Sequence, residues 1–148
     1  MALTVKNIRT MLKDIPDLNI LLEGSVQSGD ELIALAMQLG VSEFNSLPPV
    51  TQYVEANFPS DSLLFYVTAH FLANGEAEKQ LRNQVNYNAQ GLNVNMDDKY
   101  EQYLRLAQHY YQLFMQRATT LKQYINIDSA WGQVSSPYGN LNEFKFRS

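Results

Sequence analysis

The chain has 148 residues, 45% hydrophobic and 18% charged, with no cysteine and with 11 basic against 15 acidic groups. That length suits one domain burying roughly two thirds of its unfolded surface, and the missing thiols exclude disulfide scaffolds, thiolate zinc sites and cysteine nucleophiles. A net charge of −4 without any block of Lys or Arg argues against binding nucleic acid through a run of phosphate contacts.

No apolar run approaches the roughly 20 residues that span a bilayer; Leu63-Leu64-Phe65-Tyr66-Val67 is the longest candidate. The start, Met-Ala-Leu-Thr-Val-Lys, lacks the basic opening and apolar block of a secretory signal. A soluble chain without a processed leader, in a reducing compartment, is the expectation.

Residues 4–14 read as an amphipathic helix, capped by Thr4, with Val5, Ile8, Leu12 and Ile15 near helical spacing and Pro16 as its stop. Residues 17–26 form a connector whose Leu18, Ile20, Leu21 and Leu22 are expected against the core. Ser28-Gly29-Asp30 opens a second helix, with Glu31 in a first turn that favours negative charge. Leu32, Leu35, Ala36 and Leu39 form its apolar stripe, and Gly40 is expected to end it. Pro48, Pro49 and Pro59 then break the chain, leaving Val50, Tyr53, Val54 and Phe58 to line one face of a one- or two-turn helix. A third helix starts at Ser60 or Asp61 and buries Leu63, Leu64, Val67, Phe71 and Leu72.

Residues 86–96 are rich in asparagine, with Leu92, Val94 and Met96 alternating with polar residues, so an extended loop or small hairpin is predicted there. Asp97 or Asp98 caps the fourth helix. In it Tyr100, Leu104, Ala107, Tyr111, Phe114, Ala118, Leu121 and Ile125 recur at intervals of four and three. This seam predicts a long bundle helix packed on the third. From Ile127 onward Gly132, Pro137 and Gly139 interrupt helix, yet Trp131, Tyr138, Leu141, Phe144 and Phe146 are too apolar for an ordinary disordered tail. Phe144-Lys145-Phe146-Arg147 alternates as a strand added to a sheet edge does, so the tail is expected to dock on a neighbour, with folding back on its own helices as the alternative. The predicted architecture is all-α: a helical bundle over residues 1–126 and an extended C-terminal arm over 127–148.

Catalytic chemistry is not legible. His70 and His109 fall on different helices without a carboxylate at metal-ligand spacing, and Asp97-Asp98 suits a helix N-terminus. No phosphate loop, dinucleotide fingerprint or nucleophile elbow occurs. A protein that is not an enzyme, with no catalytic residue, cofactor or metal site, is expected.

The run Leu81-Arg82-Asn83-Gln84-Val85-Asn86-Tyr87-Asn88-Ala89-Gln90-Gly91, then Asp98-Lys99-Tyr100, Leu121-Lys122, Asn126-Ile127, Ala130-Trp131-Gly132 and Ser135-Ser136-Pro137-Tyr138, resembles the neck or head–tail connector proteins of tailed bacteriophages. Leu47-Pro48-Pro49 and Asn57-Phe58-Pro59 before a helix also fit, so the likeness covers roughly residues 45–140. The resemblance implies a homo-oligomeric ring, typically of twelve copies, in the virion neck. It would be assembled in the host cytoplasm, bound to the portal protein above and to the next neck or tail protein below. DNA would pass through its channel without sequence-specific binding, and no membrane is involved. Trp131, Tyr138, Leu141, Phe144 and Phe146 would anchor the arm, with Lys145 and Arg147 adding charge contacts. Tyr87, Leu92 and Val94 would touch a neighbour or the next ring. A tail-completion or baseplate protein, or a non-viral helical adaptor, is the alternative.

Overall fold

The computed structural model describes residues 3–17, 26–82, 86–89, 92–95 and 99–131. Among these, four helices form the body: α1 (Val5–Met11), α2 (Asp30–Ser46), α3 (Asp61–Arg82) and α4 (Tyr100–Trp131). A 3-10 turn occupies Glu55–Asn57, and β1 (Asn86–Ala89) pairs with β2 (Leu92–Asn95) between α3 and α4. The architecture is an all-α bundle with one long helix in its C-terminal half, as the periodicity predicts. α3 is the central helix, packed along α4 on one side and α2 on the other, with α1 against α2. Ile8, Ile33, Phe44, Leu63, Leu64, Val67, Phe114 and Ala118 make up the buried centre.

Thr4 caps α1 as predicted, accepting from the Asn7 amide at 3.3 Å. The helix stops earlier than Pro16 requires. Lys13 adopts φ 58, its amide donates to the Thr10 carbonyl and the Asp14 amide donates to the Arg9 carbonyl, which is a Schellman stop.

The second helix departs from expectation in two respects. It runs through Gly40 to Ser46, and it buries Ile33, Ala36, Met37, Gly40, Val41 and Phe44. Leu32, Leu35 and Leu39 of the predicted stripe are instead 51%, 51% and 45% exposed. Two apolar stripes lie side by side on this helix, and packing on α3 selects the one containing the glycine. Gly40 is there for closeness: any Cβ at this position would collide with Val67.

The proline-broken segment also differs. Tyr53 and Phe58 pack on Phe44, with ring centroids at 5.9 and 5.0 Å, but Val50 and Val54 are exposed. Only one 3-10 turn forms, held by the Asn57 carboxamide oxygen, which accepts from the Val54 amide at 2.7 Å.

β1 and β2 form an antiparallel pair, one of the two forms predicted. Its register pairs Asn86 with Asn95, Tyr87 with Val94, Asn88 with Asn93 and Ala89 with Leu92. Each asparagine is thus paired with an asparagine, and the apolar residues pair with one another. The expected caps Asp97 and Asp98 lie outside the described residues, as do Leu18, Ile20, Leu21 and Leu22.

α4 spans 32 residues, about 48 Å at 1.5 Å per residue. Ala107, Phe114 and Ala118 of the seam are fully buried, while Tyr111, Leu121 and Ile125 pack at its margins. The predicted start of an arm at Ile127 is corrected. Residues 127–131 continue the helix, because no residue before Gly132 breaks the backbone and the Ser129 hydroxyl folds back onto the Asn126 carbonyl at 2.9 Å. Among the described residues, no helix is long and apolar enough to cross a membrane.

Candidate interaction surfaces

Two polar staples build the frame. At one end, the nearly buried Asp14 carboxylate accepts from the Ser28 amide at 3.0 Å, from the Gln27 amide, and from Arg9 Nη1 at 3.0 Å. Arg9 Nη2 donates to the Ser28 carbonyl at 2.7 Å and pairs with Asp30. The clamp fixes the approach to α2 on the end of α1. A buried carboxylate with three donors is satisfied rather than reactive.

At the other end, Asn45 organises the segment after the prolines. Its carboxamide donates to the Tyr53 carbonyl at 2.8 Å, and its oxygen accepts from the Tyr53 amide at 3.0 Å and the Thr51 hydroxyl at 2.9 Å. Lys122, 2% exposed, completes this knot from α4 by donating to the Pro49 carbonyl at 2.8 Å and to Thr51 Oγ1 at 2.7 Å. Its ammonium also sits 4.3 Å from the centre of the Phe44 ring. Burial holds the Lys122 pKa below its ordinary value. This cation on the core face of α4 is invisible to a hydrophobic-periodicity reading; its place one residue after Leu121, on the buried side of the seam, is the signal that the sequence does offer.

Beside this knot lies an open cleft of about 530 Å³, lined by Leu47, Pro48, Pro49, Met115, Thr119 and Gln123 together with Lys122. It runs along residues 115–126 of α4.

The histidines take structural or surface positions. His70 Nδ1 lies 3.0 Å from the Ala107 carbonyl and its ring packs on Tyr111 at 4.9 Å, joining α3 to α4. His109 is exposed beside Tyr110. Among the described residues, no group of three or more His, Asp or Glu is placed to hold a metal ion. Tyr110 stacks on Tyr66, and its pKa is raised by burial and then by Tyr66. Tyr111 donates to Glu43 at 3.1 Å, and its pKa is raised by burial and then by Glu43.

What remains is surface. Leu32, Leu35 and Leu39 form an outward row at i, i+3 and i+7 on α2, flanked at its start by the exposed Asp30 and Glu31. Of the expected contact residues, Tyr87 pairs with Val94 across the hairpin and Leu92 with Ala89. Trp131 is the last residue of α4 rather than part of an arm. Tyr138, Leu141, Phe144, Lys145, Phe146 and Arg147 lie outside the described residues.

No protein-family model, curated protein or solved structure matches the chain.

Proposed function

We propose that the chain is a non-enzymatic structural protein of a tailed-phage particle: a neck component that forms a ring joining the capsid portal to the tail around the DNA channel. The observation that supports an assembling protein is the α2 row of Leu32, Leu35 and Leu39, each about half exposed and none belonging to the buried core among the described residues. Three leucines at helical spacing are the footprint of a helix-sized contact. The resemblance over residues 45–140 supplies the phage assignment. The acidic balance suits a channel through which DNA slides without sticking.

The test is native mass spectrometry of the chain mixed with the portal ring encoded by the same genome. Full-length protein, a truncation ending at Trp131, and a Leu32→Gln/Leu35→Gln variant are compared. Loading of full-length protein as a complete ring, lost in the double variant, is the expected result. A chain that stays monomeric and does not load on the portal ring overturns the reading in favour of a monomeric adaptor.

A further inference from the structure

On the reading of the chain as an assembling protein, we propose that the outward leucine row of α2 seats in a groove between α3 and α4 of a second copy. The joint is head-to-tail, with Glu31 of one copy beside Arg117 of the next.

The groove has a volume of about 510 Å³ and is lined by Pro59 and Leu63 at the start of α3 and by Arg117, Thr120, Leu121 and Tyr124 of α4. Tyr124 is 63% exposed, so a large apolar ring on this wall is left to solvent. Arg117 to Tyr124 is seven residues along α4, and Leu32 to Leu39 is seven residues along α2. Each covers about 10 Å at 1.5 Å per residue, so row and groove match in length.

Charge selects a second copy as the occupant. α2 carries Asp30, Glu31 and Glu43 and no Lys or Arg. Residues 102–127 of α4 carry Arg105, Arg117 and Lys122 and no carboxylate. Arg117 Nη1 donates to Ser62 Oγ at 3.2 Å, and its guanidinium lies 5.0 Å from the centre of the Tyr66 ring. These contacts hold a cation beside the groove, and among the described residues no carboxylate pairs with it. Glu31 is exposed in the first turn of α2 and likewise has no cationic partner among the described residues. Laying Leu32 to Leu39 along Arg117 to Tyr124 in the same direction joins these two charges at one end and brings Leu39 to Tyr124 at the other. Electrostatic complementarity of this kind fixes register and direction more than it adds affinity. Because α2 and α4 flank α3 on different sides, a copy that gives its row keeps its groove free for another. Such a heterologous contact builds a closed ring or a filament rather than stopping at a pair.

The absence of cysteine makes a direct test possible. Chains with Leu35→Cys are mixed with chains with Thr120→Cys, and Leu39→Cys chains with Tyr124→Cys chains; Arg105→Cys replaces the α4 partner as the control. All are oxidised mildly, alone and on the portal ring encoded by the same genome, and a disulfide needs Cα atoms within about 7 Å. The expected result is a bridge between unlike chains in at least one pair and none with Arg105→Cys. A chain carrying both Leu35→Cys and Thr120→Cys should give a ladder of products beyond the dimer. Glu31→Arg and Arg117→Glu should each weaken self-association about tenfold in sedimentation, and the double variant should recover most of it, with thermal melts checking that every variant folds. Bridges between two Leu35→Cys chains would show a two-fold leucine contact and overturn the proposal. Oligomers that give no bridge and ignore Glu31→Arg would overturn it while leaving an assembling protein joined elsewhere. A chain that is monomeric both alone and with the portal ring removes the assembling protein and this joint together.

Discussion

Gly40 of α2 lies against Val67 of α3 so closely that a single methyl group on the glycine has no room. The contact brings two helix backbones together at the centre of the core, where Ile33, Met37 and Phe44 meet Leu63 and Leu64. Gly40→Ala would be favoured by helix propensity alone, by about 1 kcal/mol. Overpacking wins here: the variant should lose about 1–3 kcal/mol in urea denaturation. A Gly40→Ala/Val67→Ala double variant should recover part of the loss, because the methyl that collides is removed.

Neighbouring positions on α2 should respond oppositely. Ile33→Ala removes a fully buried side chain and should cost about 2–5 kcal/mol. Leu32→Ala, one residue earlier and half exposed, should change the stability of the dilute chain by less than about 0.5 kcal/mol. Thermal melts of the two variants decide the point, and equal losses would show that Leu32 is covered within the monomer.

Asp14→Ala should be among the costliest polar substitutions. It leaves the Gln27 and Ser28 amides and the Arg9 guanidinium without their common acceptor. A loss of about 3 kcal/mol is expected. Asp14→Asn keeps an acceptor oxygen but loses the charge opposite Arg9, so its loss should be smaller. Chemical denaturation of both variants separates hydrogen bonding from ion pairing.

The alkaline limb of stability should reveal two opposed groups. Lys122 has a lowered pKa in the fold, so above that value the unfolded chain binds more protons and stability rises with pH until the ordinary lysine range. Tyr110 and Tyr111 have raised values, so the folded chain keeps protons that the unfolded chain releases above pH ~10, and stability falls. Tyr111→Phe should flatten the fall and Lys122→Met should flatten the rise. Melting temperature followed between neutral and alkaline pH measures both.

Much of the architecture is legible in the sequence, for reasons that differ by element. The seam from Tyr100 to Ile125 identifies α4 because its partner helix shares the same period. Thr4 is readable because a cap is a local interaction. The buried face of α2 is not, because Leu32, Leu35 and Leu39 are as helical in spacing as Ile33, Met37 and Phe44, and only the approach of α3 distinguishes them. Gly40 reads as a terminator because a glycine demanded by close packing looks the same in sequence as one demanded by a turn. Lys122 and Asn45 escape a sequence reading because their partners, Pro49, Thr51 and Tyr53, meet them only through tertiary structure. Of the residues expected to contact partners, the structure places Tyr87, Leu92 and Val94 in one strand pair and Trp131 at the end of α4.

The Asp14 clamp also separates a piece of chain from the rest in thermodynamic terms. By joining residue 14 to residues 27 and 28 it closes a loop whose ends are fixed by the bundle. Closure entropy grows only logarithmically, so doubling the enclosed length costs about 0.6 kcal/mol. Registry between the end of α1 and the start of α2 therefore rests on this clamp rather than on the length of chain that it encloses.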